Sequence, residues 1–269
     1  MIPPYLSRSP IEYSKDLTDV DESSTDLAIF GDAKALERIK EFPNIKRVWL
    51  NGANQKQFDL VVSLVNPISF KGYNLRVPNL NALQGLSGIE ELSIEWNTKA
   101  GSIAPIGELT SLKVLQIQDF TRVHDLTPIQ RLSDLITLDI SGGVWNTFKV
   151  ETLEPLGDLK NLLYLCLANI RVLDQSLEPV SRLTQLQELS ISNQFPTEEY
   201  ARLTANLTNT KCDYFRAFIE LKQMLGEHDI MVVGKRKPFL NQKKDSDRVK
   251  KYQNAFDQLV EKHRAQPVR

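Results

Sequence analysis

The side chains best suited to covalent chemistry in this chain are two cysteines, Cys166 and Cys212, and three histidines, His124, His228 and His263. A catalytic thiolate needs a base such as histidine beside it, and the repeat pattern places no histidine near Cys166. The histidines fit no HExxH or HxH spacing, and no GxxxxGK[ST], GxGxxG or GxSxG motif is present. Two cysteines cannot form a disulfide framework or a four-ligand zinc site. The sequence therefore predicts no enzyme activity and no cofactor.

The remaining polar side chains must be positioned by a repeat. The repeated pattern has an apolar residue at every third position and ends in a pair of apolar residues with one residue between them, as in "LTSLKVLQI". The final pair is typical of a short strand with one buried face, and the spacing of three is typical of a 3₁₀ turn. The pairs begin at Leu27, Val48, Ile68, Leu92, Leu115, Leu138, Leu165, Leu189 and Cys212. Each unit depends on its neighbours to bury its leucines.

A second recurrence supports this register, because Pro105, Pro128, Pro155 and Pro179 each precede the apolar residue that opens a return segment. Proline suits the first turn of a helix, where its missing N–H has no partner. The stretches "VHDLTPIQRLSDLITLDI" and "LEPLGDLKNLLYLCL" resemble the leucine-rich-repeat family, in particular the type with repeats of about 22–24 residues found in internalins and phosphatase-regulatory subunits. The family's asparagine after the strand occurs in register only as Asn97.

The resemblance implies an α/β fold, a right-handed solenoid with parallel β-strands on the concave face and short 3₁₀ or helical segments on the convex side. We expect an irregular N-terminal arm over residues 1–26 and a solenoid of about eight to nine strand steps over 27–216. Residues 217–269 form a basic C-terminal cap with an amphipathic helix over 246–264. Cys166 and Cys212, two repeat steps apart, are too distant for a disulfide and should remain free thiols.

The longest step between strands contains the extra loop "GGVWNTFKV", which predicts that Trp145 and Phe148 lie on a projecting segment. Side chains flanking each aliphatic pair point away from the core and should form the concave surface. Acidic and aromatic residues meet at its centre, whereas Arg47, Lys71 and Lys211 lie at its ends. The candidate partner-binding residues are Trp49, Glu91, Glu95, Trp96, Asp119, Asp139, Tyr164 and Arg216.

An acidic centre with aromatic anchors suits a basic or amphipathic protein segment, because aromatic side chains dominate interface energy and charge directs the approach. Four carboxylates spread over open strands do not make the enclosed loop that a metal ion needs, so we expect no metal site. The sequence therefore predicts a non-enzymatic protein-protein interaction module, acting as an adaptor, a regulator or an immunity-type inhibitor. We expect a monomer in the cytoplasm of a bacterium, since no apolar run is long enough for a membrane span and no signal segment is evident.

An alternative is nucleic-acid binding through the C-terminal segment. Residues 232–269 contain eleven Lys or Arg and four Asp or Glu, a net charge of +7, while the other residues carry 22 and 30, a net charge of −8. The lysines could contact phosphates. No aromatic stacking platform accompanies them and the rest of the chain is acidic, which favours the protein-binding hypothesis.

Overall fold

The computed structural model describes residues 12–265 of the 269-residue chain. Residues 1–11, the first part of the predicted arm, and residues 266–269 lie outside the described part. The strands in the described part are β1 (Ser14–Asp16), β2 (Asp26–Lys34), β3 (Arg47–Asn51), β4 (Ser69–Tyr73), β5 (Glu91–Glu95), β6 (Val114–Gln118), β7 (Thr137–Ser141), β8 (Phe148–Val150), β9 (Tyr164–Leu167), β10 (Ile170–Val172), β11 (Glu188–Ile191), β12 (Phe218–Leu225), β13 (His228–Val232) and β14 (Phe239–Leu240).

The main sheet contains nine strands in the order β1-β2-β3-β4-β5-β6-β7-β9-β11. All neighbouring strands in it are parallel, as a coil of stacked repeats requires. The α/β solenoid expected from the sequence is therefore confirmed. Strand β1 lies inside the segment 1–26, and the division of the chain into an arm, a solenoid and a cap remains a prediction.

Short helices return the chain from one strand to the next on the opposite side of the sheet. Two are the α-helices α1 (Gln55–Ser63) and α2 (Glu178–Ser181). The others are 3₁₀ helices at Leu17–Asp19, Leu36–Glu41, Asn81–Gly85, Ala104–Glu108, Thr127–Arg131 and Glu154–Leu156. The four prolines of the repeat occupy the first turn of these helices, at the position the sequence predicts.

The core is a continuous ladder of aliphatic side chains between the sheet and the return helices. Leu115, Leu138 and Leu165 occupy equivalent positions on adjacent strands, and each is buried. The residues one place further along, such as Asp139, point to the other face. No single repeat could enclose these side chains alone, so each unit is stable only against its neighbours.

One strand register differs from the sequence prediction. Phe70, not Ile68, pairs with Val48 on one side and Leu92 on the other, and Ile68 is exposed. The second aliphatic position of this strand is Gly72, which has no side chain to signal the pattern. Leu75 fills the gap: a Cβ on Gly72 would lie 2.6 Å from Leu75 Cδ1. The start of the pair at Ile68 was therefore wrong by two residues.

The loop after β7 also differs in part from the prediction. Trp145 projects from it, but Phe148 does not: it is buried in β8 and its ring stacks on Phe120 at 6.5 Å between centroids. Strand β8 pairs in parallel with β10 in a small second sheet. The longest repeat therefore buries a second aromatic ring inside the coil.

Asn97 performs the backbone role that the resemblance implies for it. The side chain is buried, its Nδ2 donates to Val77 O at 2.9 Å, and its Oδ1 accepts from the amides of Val77 and Lys99 at 3.4 Å. A buried amide that satisfies backbone groups on two turns fixes the path of the chain.

Beyond β11 the repeat ends. The strand step expected at Cys212 is reduced to an isolated bridge between Glu188 and Lys211, so a full strand there was a wrong prediction. Helix α3 (Thr197–Asn206) replaces the 3₁₀ turn, and β12, β13 and β14 form a small antiparallel sheet. The predicted C-terminal helix is present as α4 (Ser246–Arg264) and packs against α3 through Phe256, Val260 and His263. Within residues 12–265, no helix has the length and apolar character needed to cross a bilayer.

Candidate functional site

The outward face of the main sheet, here called the concave face, carries three columns of side chains fixed by the strand register. The first contains Arg47, Ser69, Glu91, Val114, Thr137, Tyr164 and Glu188. The second contains Trp49, Lys71, Ser93, Gln116, Asp139, Cys166 and Ser190. The third contains Asn51, Tyr73, Glu95, Gln118 and Ser141. The face is therefore mostly polar, with aromatic residues at intervals.

A polar network crosses four strands at the centre of this face. Lys71 Nζ lies 2.7 Å from Glu95 Oε1. Ser93 Oγ donates to Gln116 Oε1 at 2.7 Å, and Gln116 Nε2 donates to Asp139 Oδ2 at 3.3 Å. The two-residue shift of β4 thus moves Lys71 from the third column, where the sequence pattern placed it, to the second, where it reaches Glu95 on the next strand. The positive charge of Lys71 offsets the negative charge of Glu95, so the centre of the face is less acidic than expected.

Asp139 is a carboxylate whose ionisation depends on its surroundings on this face. Burial raises the pKa of Asp139, while hydrogen bonds from Ser141, Cys166 and Gln116 oppose that rise by favouring the ionised form. Burial also raises the pKa of Cys166 to about 11, and the nearby Asp139 charge adds to the effect. Cys166 is a free thiol that stays protonated near neutral pH, a state unsuited to nucleophilic attack.

The principal aromatic feature is a pair formed by Tyr73 and Trp96 at the end of the strands. Their rings meet edge to face at 5.9 Å between centroids, and Trp96 is 47% exposed. Tyr13 and Phe30 form a second pair at 5.5 Å, and the nearby charge of Glu95 adds to the rise in the pKa of Tyr13 that burial causes. Tyr13, Phe30, Tyr73 and Trp96 are here called the aromatic rim.

Trp96 belongs to a row of residues that follow the strands with left-handed backbone. The row is Gly52, Asn74, Trp96, Asp119 and Asn169, with φ between 48° and 73°. The amides of Asn74, Trp96 and Asp119 each donate to a carbonyl at the end of the next strand. A left-handed conformation is uncommon for a tryptophan and costs roughly 1 kcal/mol, so the fold holds this side chain in place.

At the N-terminal end of the face the charges are paired. Arg47 Nη2 lies 2.7 Å from Asp26 Oδ1, and the carboxylates of Asp26 and Glu91 raise the pKa of Arg47. Trp49, predicted to contact a partner, is only 7% exposed. Its indole is therefore largely covered where the sequence pattern placed it on an open surface.

The other predicted site residues are dispersed. Asp119 is 7% exposed, and its Oδ2 accepts from Asn146 Nδ2 at 3.3 Å beneath the loop after β7. Tyr164 is half-buried with its hydroxyl 3.3 Å from Gln187 Oε1. Arg216 is exposed in a turn before β12. The structure thus brings Glu95 and Asp139 together near the centre, places Trp96 at the rim and leaves Asp119 inside.

Sequence reasoning missed Tyr13, Phe30 and Tyr73. Tyr73 was missed because the predicted register of β4, two residues too early, placed it beyond the end of the strand. Assigning Gly72 to the second buried position of the strand would have placed Tyr73 on the concave face beside Glu95. Tyr13 and Phe30 meet through the pairing of β1 with β2, for which the repeat carries no signal. No group of acidic, histidine and cysteine side chains suited to a metal ion occurs within residues 12–265.

The parallel nine-stranded sheet, the 3₁₀ returns and the aliphatic ladder together define a leucine-rich-repeat solenoid. The structure is similar to that of internalin C2 from Listeria monocytogenes, with 24% identity and a TM-score of 0.50, over 66% of this chain and 73% of that one. It is also similar to a second internalin from the same species (22% identity, 71% of this chain, 60% of that chain, TM-score 0.49) and to a leucine-rich-repeat protein from Leptospira interrogans (19% identity, 70% and 50%, TM-score 0.45). No family model and no curated protein matches the sequence.

Proposed function

We propose that this protein is a non-enzymatic module that binds a protein partner on its concave face, as an adaptor, a regulator or an immunity-type inhibitor. The observation that carries the proposal is the exposed Tyr73–Trp96 pair, held at the rim of an open polar sheet. Tryptophan and tyrosine that lose their remaining exposure on binding supply the largest share of interface energy. The surrounding network of Lys71, Glu95, Ser93 and Gln116 supplies orientation, because its groups are already ordered.

The partner we propose presents a basic or amphipathic segment. Asp139 supports this choice, because its negative charge is disfavoured by burial and would be stabilised by a cation brought into contact with it. Glu91 lies in the adjacent outer column, where it already interacts with Arg47. Binding of a lysine or arginine beside Asp139 therefore lowers the pKa of Asp139, and affinity increases as the pH rises through that pKa. Tyr164 completes the proposed contact area, with Arg216 at its end.

The experiment compares four forms of the whole chain. Partners captured on the immobilised wild-type protein are compared with those captured on the double variant Tyr73→Ala/Trp96→Ala, and a partner lost from the variant is purified and titrated by calorimetry. We expect the double variant to bind at least about tenfold more weakly. Asp139→Asn should weaken binding and remove its pH dependence.

The matched control is Leu60→Ala on α1, which removes an exposed aliphatic side chain from the convex side. It should leave the dissociation constant unchanged. Equal affinities for wild type and for Tyr73→Ala/Trp96→Ala would show that the partner does not use the concave rim.

The alternative of nucleic-acid binding through residues 232–269 gains little support from the C-terminal contacts. Several cations there already have acidic partners: Lys244 pairs with Glu227 at 2.5 Å and Lys262 with Glu198 at 2.8 Å. Lys237 lies over the ring of Tyr252 at 5.6 Å. Paired cations release fewer counterions when they meet phosphate, so the segment attracts nucleic acid less than its net charge implies.

A further inference from the structure

The loop after β7 displays two large apolar side chains for which the fold provides no packing. Val144 is 86% exposed and Trp145 is 90% exposed. Residues 142–147 are here called the rim loop and lie in the longest repeat. Equivalent strand positions are 27 residues apart between Leu138 and Leu165, but only 22 to 24 residues apart in the other repeats from Val48 to Leu189. A single exposed apolar residue is ordinary, but a loop that presents two of them at its tip marks an interaction site.

The rim loop is held in place by partly buried side-chain amides. Asn169 Nδ2 donates to the carbonyls of Gly143 and Asn146, at 2.8 and 3.1 Å, and Thr147 Oγ1 donates to Asn169 Oδ1 at 3.1 Å. Asn146 in turn donates to Asp119. Both ends of the tip are therefore fixed, and little conformational entropy is lost when Trp145 meets a partner.

The close approach of Asp119 explains one of the two glycines in this loop, Gly143. A Cβ at Gly143 would lie 2.5 Å from Asp119 Oδ2, so only glycine fits there. Asp119 thus has a positioning role: it shapes the rim loop from below and does not reach the surface itself.

A basic cavity opens beside the rim loop. Its volume is about 520 Å³ and Thr147, at the end of the loop, forms part of its wall. Arg171, Lys235 and Arg236 line it together with the 60% exposed Leu173, and none of its lining residues is acidic. Lys235 Nζ lies 2.7 Å from the uncharged Gln175 Oε1. Within residues 12–265, none of these three cations forms an ion pair.

We propose that the rim loop and this cavity form a second docking surface, for an acidic protein segment that carries aliphatic or aromatic side chains. The apolar side chains of the segment pack on Val144, Trp145 and Leu173, and its carboxylates meet Arg171, Lys235 and Arg236. Complementary charge selects this occupant, since three cations without acidic neighbours line a cavity edged by apolar groups. The surface differs in place and sign from the concave face and does not depend on the function proposed for that face.

The test uses a fluorescein-labelled synthetic peptide in which every third residue is leucine and the others are glutamate, titrated with the full chain and followed by anisotropy. We expect the peptide to bind, Trp145→Ala to weaken it by about tenfold or more, and Arg171→Glu/Lys235→Glu to abolish it. Rising salt should weaken binding, because exposed charges are screened. The substituted side chains are exposed, and circular dichroism verifies that each variant is folded.

Two controls separate the surfaces. Trp96→Ala should leave the affinity for the peptide unchanged, because Trp96 lies on the concave face. The proposal for the rim loop and the proposal for the concave face can therefore fail independently of each other. A peptide with lysine in place of glutamate should not bind.

The proposal is overturned if the glutamate peptide does not bind, or if it binds Trp145→Ala as tightly as wild type. It is also overturned if single-stranded DNA occupies the three cations in preference to the peptide, or if sedimentation shows that Trp145 supports self-association of the chain.

Discussion

Truncation of Leu138 tests the strand register on which the whole structure depends. Leu138 lies on β7, an inner strand of the main sheet, and is fully buried between Leu115 and Leu165. Leu138→Ala removes the side-chain atoms that fill this position and leaves a cavity that close-packed neighbours cannot close. The expected loss is about 3 to 5 kcal/mol in the free energy of unfolding. Against a total of about 5 to 15 kcal/mol for a typical domain, that loss is large and readily measured.

The assay is urea unfolding followed by far-ultraviolet circular dichroism, with Gln118→Ala as the matched control. Gln118 lies on the adjacent strand but on the concave face, so its truncation should change the free energy of unfolding by less than about 0.5 kcal/mol. Leu138→Asp should be more damaging than Leu138→Ala, because it places an unpaired polar group in the core. Equal midpoints for Leu138→Ala and Gln118→Ala would refute the assignment of inward and outward faces.

Three further substitutions test single contacts. Asn97→Ala should cost about 2 to 3 kcal/mol of stability, because the N–H and C=O of Val77 lose their buried partner; faster hydrogen exchange at the Val77 amide would locate the effect. Asp139→Asn should preserve or raise stability at neutral pH. Burial raises the pKa of Asp139, so the protonated carboxyl stabilises the folded state and this stabilisation is lost as pH rises through that pKa. The uncharged asparagine side chain does not ionise and so does not lose stability in this way. A loss of more than about 1 kcal/mol would contradict this reasoning. Burial, with the positive charges of Arg202 and Lys262, lowers the pKa of His263 below its ordinary value of 6.5. Stability should therefore fall as pH drops below about 6.5, because the unfolded chain then binds a proton at His263 that the folded chain does not. His263→Gln should flatten that part of a pH series of thermal melts, and an unchanged slope would exclude His263 as its source.

Much of the solenoid could be predicted because its signal is repeated. The spacing of leucines identified the strands β5, β6, β7, β9 and β11, and the prolines identified the return helices between them. The prediction was wrong where one repeat lacked its usual side chain. Gly72 offers no aliphatic signal, and Leu75 fills the space from a different place in the sequence.

The candidate site was less predictable, because exposure depends on what lies above a residue. The pattern of β6 and β7 correctly set the directions of Gln116 and Asp139. It could not show that the inserted loop covers Asp119, or that Trp49 is largely buried. Those are contacts between distant parts of the chain, set by loop paths that the repeat does not encode.

The left-handed row at the ends of the strands has a consequence for how such a protein can diversify. Its members range from glycine, which adopts this conformation freely, to tryptophan, so the backbone there accepts side chains of very different size. None of these residues belongs to the aliphatic ladder. Mutation of Asn74 or Trp96 can therefore alter what the molecule recognises while the aliphatic ladder beneath stays the same, whereas Asp119 and Asn169 also hold the rim loop.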